Sequence, residues 1–505
     1  MANAMKQLAG ETAIYGMSTI LARIINFLFV PFYTRLLTTA SYGVVTEFMA
    51  YIAVLQVVLV LGLETGCFRF ANKDGVEPKK VYSNALVTVF GTSVAFLACM
   101  IVFATPITNM LGYAGYESCI MYMGGILALD SVTAILFAKL RQEHRALKFA
   151  IFKTIKILTE TGSNILFFFW FPAYAAAHPD TFLLNFVSAT PDFSYVMFSI
   201  FLSCVVCGLL FIPDLLKFTW SFDRQLLRKM LLYSLPLMVA SLPGIVNDFL
   251  DRILFRFFDT NSEVWQSSLG VFQAAVKLSV IMNLFIQMFR YAAEPFFFQR
   301  AKEKDSKQQY AQVMEWFTAF CGLIFLGVIL YIDVISLILG RDFREGVGVV
   351  PIMLFSYMLL GMLFNVSMWY KLSGKTSMAI YITLAGLVVT LVVNVIFMPI
   401  YSYWASAFGH LASYLVMFIV SAVLGAKYYP IPYRWGKIIG SIALMGGAYL
   451  LSLGADQLWF KDFVLETAGA GAIIAKFAVH TLVILGYIAA CWFLLRGRKR
   501  QPLAA

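Results

Sequence analysis

Long apolar stretches recur along the whole 505-residue chain and alternate with short polar connections. A helix needs about 20 residues to cross the roughly 30 Å hydrocarbon core of a bilayer, and these stretches approach or exceed that length. The apolar windows lie near residues 8–30, 43–66, 83–105, 119–138, 149–171, 193–212, 231–254, 269–290, 312–332, 347–370, 377–398, 404–425, 438–454 and 472–494. The pattern predicts an all-α integral membrane protein with 14 transmembrane helices.

The first six and the next six predicted helices look like two related halves. Tyr15 and Gly16 open the first helix much as Tyr233 and Ser234 open the seventh, and both helices then carry Asn and Arg. Such a correspondence suggests internal pseudosymmetry, the usual basis of alternating access. The predicted divisions are an N-terminal lobe (1–216), a C-terminal lobe (217–437) and a last helix pair with a basic tail (438–505).

Composition supports the membrane assignment and changes the meaning of the charge. The chain is 61% hydrophobic and 13% charged, which is outside the usual range for a soluble domain. Its 38 basic residues exceed its 27 acidic ones, and most Lys and Arg fall on one side of the predicted topology. By the positive-inside rule this side is cytoplasmic and holds both termini. The basic excess therefore reflects topology, and no nucleic-acid partner is expected.

Arg23 lies near the middle of the first apolar stretch. Thr12, Gly16, Thr19, Arg23 and Asn26 recur at helical spacing and share one side of that helix. A charge at the membrane centre costs on the order of 3 kcal/mol. Arg23 and its polar stripe are therefore expected to face protein or a wet cavity.

The seventh helix contains Asp248, Arg252 and Arg256 at steps of four, with Asp251 beside Arg252. Residues at this spacing can pair along one face. A structural ion-pair ladder and a substrate-binding role are equal alternatives for this set. Asp251 and Arg252 are the more suggestive pair, because they lie closest to the bend expected at Pro243.

The eighth helix repeats this arrangement, and the residues on its stripe are Gln273, Lys277, Gln287, Tyr291 and Glu294. Lys277 lies about two turns inside the span, too deep for its ammonium to reach the interface easily. A cavity-lining cation is the favoured interpretation over a packing partner.

The fifth helix carries Lys153, Lys156 and Glu160, and the last two have the spacing of an i, i+4 ion pair. Two interpretations of these lysines are equal alternatives. Their ammonium groups extend to the membrane surface (snorkelling), or they line a cavity. Near the outer start of the last helix, Lys476 is interpreted as an interfacial anchor. His480, isolated from other metal-ligand residues, is interpreted as a packing residue.

Acidic residues within the spans are few: Glu11, Glu47, Glu64, Asp130 and Glu160. Any of them could bind a coupling proton or sodium, although most are expected to neutralise neighbouring cations. The sequence has no phosphate-cradling glycine loop, nucleophile elbow or Cys/His cluster. No cofactor or resident metal is expected. The surplus of cations over anions within the spans suits an anionic cargo, since Arg and Lys are the side chains that hold phosphate.

Several segments resemble the bacterial polysaccharide-biosynthesis exporters, the O-antigen flippase type of the multidrug, oligosaccharidyl-lipid and polysaccharide exporter superfamily. They are KQLAGETAIYGMSTILARIINFLFVPFYTR, YGVVTEF, GLETGCFRF, NDFLDR, GVFQAAVK, FRYAAEPFFF, NVSMWYK and KYYPIPY. The resemblance implies two six-helix lobes around a central cavity in the bacterial cytoplasmic (inner) membrane. It also implies an undecaprenyl-diphosphate-linked oligosaccharide as cargo, with Arg23, Arg252 and Lys277 at its diphosphate.

The resulting hypothesis is a flippase, not an enzyme, that moves this cargo outward by alternating access. Tyr15, Asn26, Gln273 and Gln287 are expected to contact sugar hydroxyls, and membrane lipids and other polysaccharide-assembly proteins are the expected partners. The alternative is a cation-coupled multidrug exporter of the same fold, which would favour a buried acidic site. A membrane-embedded glycosyltransferase or polymerase is a weaker alternative, because no large outer loop carries positioned carboxylates.

Neutralising Arg23 and Lys277 together is expected to abolish glycan export, because the diphosphate would lose two of its cations. Export is measured in cells, and folding is checked by size-exclusion chromatography of the purified variant. Normal export by the double variant would contradict the assignment.

Overall fold

A computed structural model of the chain describes residues 16–496, except 18–19, 74, 179, 186–189, 219, 262–263, 301–302, 304, 462, 464 and 466. Glu11, Thr12, Tyr15 and Thr19 of the predicted first helix lie outside the described residues. Throughout the described part of the chain the regular structure is helical, and it contains no strand. This confirms the predicted all-α class.

The chain divides into two compact units, Met1–Phe257 with Ser262–Gly270, and Phe258–Asn261 with Val271–Ala505. The predicted divisions after residues 216 and 437 rest on pseudosymmetry and stay predictions. In the first unit, residues 20–28 are helical and lead into the first labelled helix. The helices that follow are α1 (Val30–Leu36), α2 (Thr39–Val60), α3 (Leu63–Ala71), α4 (Pro78–Val102), α5 (Ala104–Met110), α6 (Glu117–Gln142), α7 (Ala146–Ile165), α8 (Phe171–Ala177), α9 (Phe193–Leu216) and α10 (Arg224–Phe258).

The longer segment of the second unit begins inside a helix at Val271, and the first part of that helix belongs to the first unit. Its helices are α11 (Trp265–Leu278), α12 (Val280–Arg300), α13 (Ser306–Ile329), α14 (Ile332–Ile335), α15 (Val350–Val366), α16 (Met368–Leu372), α17 (Met378–Tyr401), α18 (Tyr403–Tyr428), α19 (Trp435–Trp459) and α20 (Ala470–Leu495). Short 3₁₀ segments cover Ser336–Ile338 and Arg341–Val349.

Eleven helices among the described residues are long and apolar enough to cross a membrane, or twelve if α11 and α12, bent by 51°, form one span. The two remaining predicted spans differ in kind. The first begins outside the described residues. The fifth is helical, continuing from α7 through a π-helical turn (Leu166–Trp170) into α8, but charges at 148, 153, 156 and 160 reduce its apolar character. The count of 14 therefore stays a prediction.

Glu47 is the fully buried centre of a charge cluster that joins α2 to α10. Its carboxylate accepts hydrogen bonds from Arg256 Nε at 2.7 Å and Nη2 at 2.8 Å, and from the Tyr51 and Tyr113 hydroxyls at 2.8 and 2.5 Å. Arg256 Nη1 donates to the Leu111 carbonyl at 2.6 Å. Burial and the Glu47 carboxylate raise the pKa of Tyr113, in the loop after α5, so its hydroxyl stays a donor.

Gly43 of α2 and Gly270 of α11 allow these two helices to touch backbone to backbone. A Cβ at Gly270 would overlap the Thr39 carbonyl, and one at Gly43 would overlap the Gln266 carbonyl. Small residues serve the same purpose at other helix contacts in membranes. The start of α11 is thus held against α2 by residues of the YGVVTEF and GVFQAAVK segments.

Replacement of Glu47 by Gln is expected to lower the unfolding free energy by about 3–5 kcal/mol, because Arg256, which is mostly enclosed by protein, loses its buried counter-charge. Thermal denaturation of the purified protein in detergent measures the loss. Glu77→Gln is the control: Glu77 pairs with Lys80 at the exposed end of α4, and such pairs contribute about 0–1 kcal/mol. Equal stability of the two variants would contradict a supporting role for Glu47.

Gly270→Ala is expected to destabilise the protein by about 1–3 kcal/mol, since the added methyl group must push two backbones apart. Gly91→Ala is the matched control. Gly91 is also helical, and a Cβ there would meet no atom within 4 Å. Because Ala has a higher helix propensity than Gly, the unfolding free energy of the control is expected to rise by up to about 1 kcal/mol. Equal melting temperatures for the two variants would exclude the close contact.

Candidate functional site

Two of the segments that carry the sequence resemblance meet at one pocket in the second unit. Its volume is about 70 Å³, and residues from α12, α15 and α16 form its wall. The lining consists of Ile286, Phe289, Arg290, Ala293, Glu294, Phe297, Gly361, Phe364, Asn365, Ser367, Met368, Tyr370 and Lys371. Most of these residues belong to FRYAAEPFFF or NVSMWYK.

The charges of this pocket consist of two cations and one carboxylate. Lys371 Nζ lies 2.5 Å from Glu294 Oε1, and Arg290 Nε lies 3.9 Å from Glu294 Oε2. The Arg290 guanidinium also stacks 4.8 Å from the centre of the Phe364 ring. All three charged side chains are partly exposed, with 28% to 50% of their surface open. The pocket therefore has a net positive charge that water can reach.

Asn365 adds a neutral polar group to the same wall. Its Nδ2 donates to the Gly361 carbonyl at 3.2 Å, while its buried Oδ1 has no hydrogen-bond partner among the described residues. A volume of about 70 Å³ holds a few water molecules at most, which excludes a sugar chain but admits a group the size of a phosphate. Arg and Lys can both hold such a group by charge-assisted hydrogen bonds.

A larger cavity of about 250 Å³ lies in the first unit, at the break between α2 and α3. Leu61 and Gly62 both have left-handed backbones there, with φ of 56° and 65°. The polar groups in its wall are mainly neutral, from Gln56, Thr65 and Ser241; Gln56 Oε1 has no hydrogen-bond partner among the described residues. Amides and hydroxyls of this kind suit sugar hydroxyls.

Glu64 supplies the charge at this second cavity. It pairs with Arg141 of α6, whose guanidinium also lies over the Phe68 ring. The GLETGCFRF segment thus contributes the backbone break and an ion pair to the first unit.

The predicted residues of α10 have different environments. Asp251 is fully buried and Arg252 is partly buried, with its guanidinium 4.6 Å from the centre of the Phe249 ring. Arg252 Nε makes no hydrogen bond within the described part of the chain. Arg256 pairs with Glu47 of α2, so the ion pair of this residue runs between helices and not along α10. The i, i+4 spacing of residues along one helix cannot identify a partner that comes from another helix.

The lysines of α7 pair across helices as well. Lys156 Nζ lies 2.5 Å from Asp130 Oδ1 of α6, so its ion pair is not the one with Glu160 that the spacing suggested. Lys153 Nζ lies 4.4 Å from the centre of the Phe137 ring, also on α6. Both contacts favour a structural role for these two lysines.

The remaining predicted residues stand apart from the two pockets. Arg23 and Asn26 are both exposed within helical residues 20–28. Gln273 is buried in α11, and Lys277 is half-buried near the end of that helix. Gln287 donates to Asn283 Oδ1 at 3.3 Å, one turn away on α12. The sugar and diphosphate roles expected for these residues stay predictions.

Arg290 and Lys371 are absent from the predicted binding residues, and Glu294 was predicted only as a member of the stripe on the eighth helix. Charge counting assigned Arg290 and Lys371 to cytoplasmic connections, where Lys and Arg commonly orient a membrane protein. The signal that could have found them is their position inside two resembling segments. Within the described residues, no group of three or more His, Cys, Asp or Glu side chains could hold a metal ion.

Comparison with solved structures places the fold among transporters. A structure titled "Lipid II flippase MurJ, inward closed conformation" aligns with a TM-score of 0.70 at 12% identity, covering 95% of this chain and 99% of that one. An inward-facing multidrug resistance MATE family transporter of the MOP superfamily aligns with a TM-score of 0.61 at 14% identity, covering 82% and 97%. Its outward-facing counterpart gives 0.59 at 13%, covering 83% and 95%.

Sequence comparison supplies the family. No curated protein matches the chain. The sequence profile of the family described as "Polysaccharide biosynthesis protein" matches residues 8–301, more than half of the chain. The chain therefore belongs to the polysaccharide biosynthesis protein family and is a multi-pass membrane protein with the fold of the MurJ and MATE transporters.

Proposed function

We propose that this protein is a flippase that moves an undecaprenyl-diphosphate-linked oligosaccharide across the bacterial cytoplasmic membrane by alternating access. Family membership supports a role in polysaccharide assembly, and one protein of the same fold is titled a lipid II flippase. An inside-negative potential would favour outward movement of an uncompensated anionic headgroup by about 2.3 kcal/mol per charge per 100 mV.

The observation that carries the proposal is the Arg290, Glu294 and Lys371 pocket. Two cations converge there on a single carboxylate, in segments that resemble the exporter family. By the positive-inside rule these residues are expected on the cytoplasmic side, from which the proposed outward transport would start. A phosphate of the diphosphate is the proposed occupant of this pocket.

Glu294 has a specific role in this proposal. Its carboxylate lies between the two cations in the present structure, where it takes the position of an anionic ligand. A phosphate would compete with it for Lys371 and Arg290. Glu294 would thus keep the cations paired between cargoes, since an unpaired charge at the membrane is costly.

A multidrug exporter of the same fold is the rival function, and it would need carboxylates available to a cationic drug. Three carboxylates within the described spans are instead occupied by cations: Glu47 by Arg256, Asp130 by Lys156, and Glu315 by Arg434. These pairs favour an anionic cargo.

The double variant R290Q/K371Q is expected to bind undecaprenyl diphosphate at least about tenfold more weakly, because charged hydrogen bonds contribute about 1.5–3 kcal/mol each. Binding is measured by native mass spectrometry of the protein in nanodiscs, with undecaprenol as the uncharged comparison. E294Q is expected to bind the diphosphate more tightly than the natural protein, because the competing carboxylate is gone.

Lys375→Gln is the matched control. Lys375 follows α16, the helix that contains Lys371, but its ammonium lies 3.6 Å from the centre of the Tyr428 ring and is not part of the pocket wall. Its loss is expected to leave binding unchanged. Undiminished binding by R290Q/K371Q would reject the pocket. Failure of lipid-linked glycan to accumulate in cells lacking the protein would reject the flippase itself.

A further inference from the structure

The short connection between α9 and α10 presents two aromatic side chains to the surroundings. Trp220 is 54% exposed and Phe222 is 58% exposed, and Leu216, the last residue of α9, is exposed as well. Both helices are long and apolar enough to span the membrane. The connection between two such helices, residues 217–223, begins and ends at the membrane surface.

The backbone of this connection is fixed against α4. Ser221 N donates to Ser83 Oγ at 2.8 Å, and Asp223 N donates to Asn84 Oδ1 at 2.9 Å. Asn84 Nδ2 donates in return to the Asp223 carbonyl at 3.1 Å. Ser83 and Asn84 are fully buried near the start of α4, which is also a candidate membrane span. The connection is therefore held at the membrane surface, and its aromatic side chains extend from a fixed backbone.

Four basic residues lie within this connection or directly after it. All four are exposed, and none of them makes an ion pair or a side-chain hydrogen bond among the described residues. The four are Lys217, Arg224, Arg228 and Lys229. Asp223 is the one carboxylate in the sequence from 216 to 229. Its Oδ1 accepts from the backbone N–H groups of Gln225 and Leu226 at 2.9 and 3.0 Å, so it caps α10.

The arrangement of these cations is unfavourable for the protein alone. Arg224 and Arg228 have i, i+4 spacing, at which like charges repel on a helix. Arg224 is also the first residue of α10, and the first turn of this helix contains no acidic residue. The N-terminal end of a helix carries a positive partial charge, which disfavours a cation there. An anion from outside the chain would relieve both effects.

We propose that this connection is a docking surface for anionic phospholipids. Its apolar part consists of Leu216, Trp220 and Phe222, and its basic part consists of Lys217, Arg224, Arg228 and Lys229. The apolar side chains enter the boundary between headgroups and acyl chains, where Trp is commonly found. The basic side chains hold lipid phosphates by charge-assisted hydrogen bonds. By the predicted topology these lipids belong to the cytoplasmic leaflet. The proposal does not depend on the flippase function.

The role of basic residues in orienting a membrane protein does not explain this surface. Lys73 and Lys79, at the connection between α3 and α4, are exposed in the same way. The sequence around them, from 72 to 80, contains no aromatic residue. Exposed aromatic side chains beside unpaired cations distinguish the connection between α9 and α10. An anionic phospholipid matches both features, because its phosphate lies directly beside its acyl chains.

The first test measures lipid affinity by native mass spectrometry of the whole protein in detergent. Phosphatidylglycerol is the anionic probe, and phosphatidylcholine is the zwitterionic comparison. A Lys or Arg near an anionic membrane surface contributes about fivefold to binding. The variant R224Q/R228Q is therefore expected to bind phosphatidylglycerol at least about tenfold more weakly than the natural protein, with little change for phosphatidylcholine.

K73Q/K79Q is the matched control, because it removes the same charge from exposed positions without neighbouring aromatic residues. It is expected to keep the natural affinity for the most tightly bound phosphatidylglycerol. Equal losses in K73Q/K79Q and R224Q/R228Q would overturn the proposal, since any surface cation would then serve. Natural affinity in R224Q/R228Q would overturn it as well.

Trp220→Ser tests the apolar part of the surface. It is expected to weaken the binding of phosphatidylglycerol by at least about threefold, because the inserted indole surface is lost. Trp459→Ser is the control, since Trp459 is also exposed but lies at the end of α19. Its replacement is expected to leave the affinity unchanged. Equal affinities for the two variants would reject insertion of Trp220.

A local measurement distinguishes a lipid from a soluble protein as the occupant. The whole protein is labelled with 5-fluorotryptophan and placed in nanodiscs, and W220F identifies one of the nine Trp signals by its loss. A water-soluble paramagnetic chelate is expected to broaden the Trp220 signal at least about twofold less in phosphatidylglycerol nanodiscs than in phosphatidylcholine nanodiscs. Equal broadening in the two lipids would overturn the proposal, and strong broadening in both would favour a soluble partner. R224Q/R228Q changes exposed residues only, so the affinity test decides the proposal even if W220F fails to fold.

Discussion

The high cost of an unpaired charge in a membrane governs how this chain is assembled. Glu47 with Arg256, Asp130 with Lys156, and Glu315 with Arg434 are pairs in which each partner comes from a different part of its unit. Each pair is specific, because a helix placed elsewhere would leave one charge unmatched in apolar surroundings. Apolar contacts alone would not determine which helices pack together, because lipid tails contact an apolar helix face as favourably as another helix does.

The helices themselves could be predicted from the sequence, because a bilayer requires a long apolar run for each span and its backbone must be satisfied internally. Eleven of the predicted runs are helices of membrane-spanning length and composition in the described residues. The partners of the charges could not be predicted. Spacing along one helix identified Lys156 with Glu160, whereas the structure pairs Lys156 with Asp130, since only tertiary packing determines which neighbouring helix supplies the counter-charge.

The candidate site also depends on contacts between helices that the sequence could not predict. Arg290 and Lys371 are 81 residues apart, and nothing in their spacing indicates that they share Glu294. The hydropathy pattern placed both residues at the ends of predicted spans. A basic residue there is already explained by its role in orienting the protein in the membrane. The resemblance of both segments to one exporter family was the better guide, although it could not reveal that they form one wall. Lys476 shows the limit again: it was interpreted as an interfacial anchor, but its side chain is buried and pairs with Asp333 and Asp456, which come from other parts of the unit.

The break at Leu61 and Gly62 has a consequence for where the backbone polar groups of this span find their partners. A cavity of about 250 Å³ lined by Gln56, Thr65 and Ser241 has room for several waters and polar groups to hold them. Irregular backbone within a membrane span is tolerated where it lines a polar cavity, because the backbone groups that the helix no longer pairs can find other partners there.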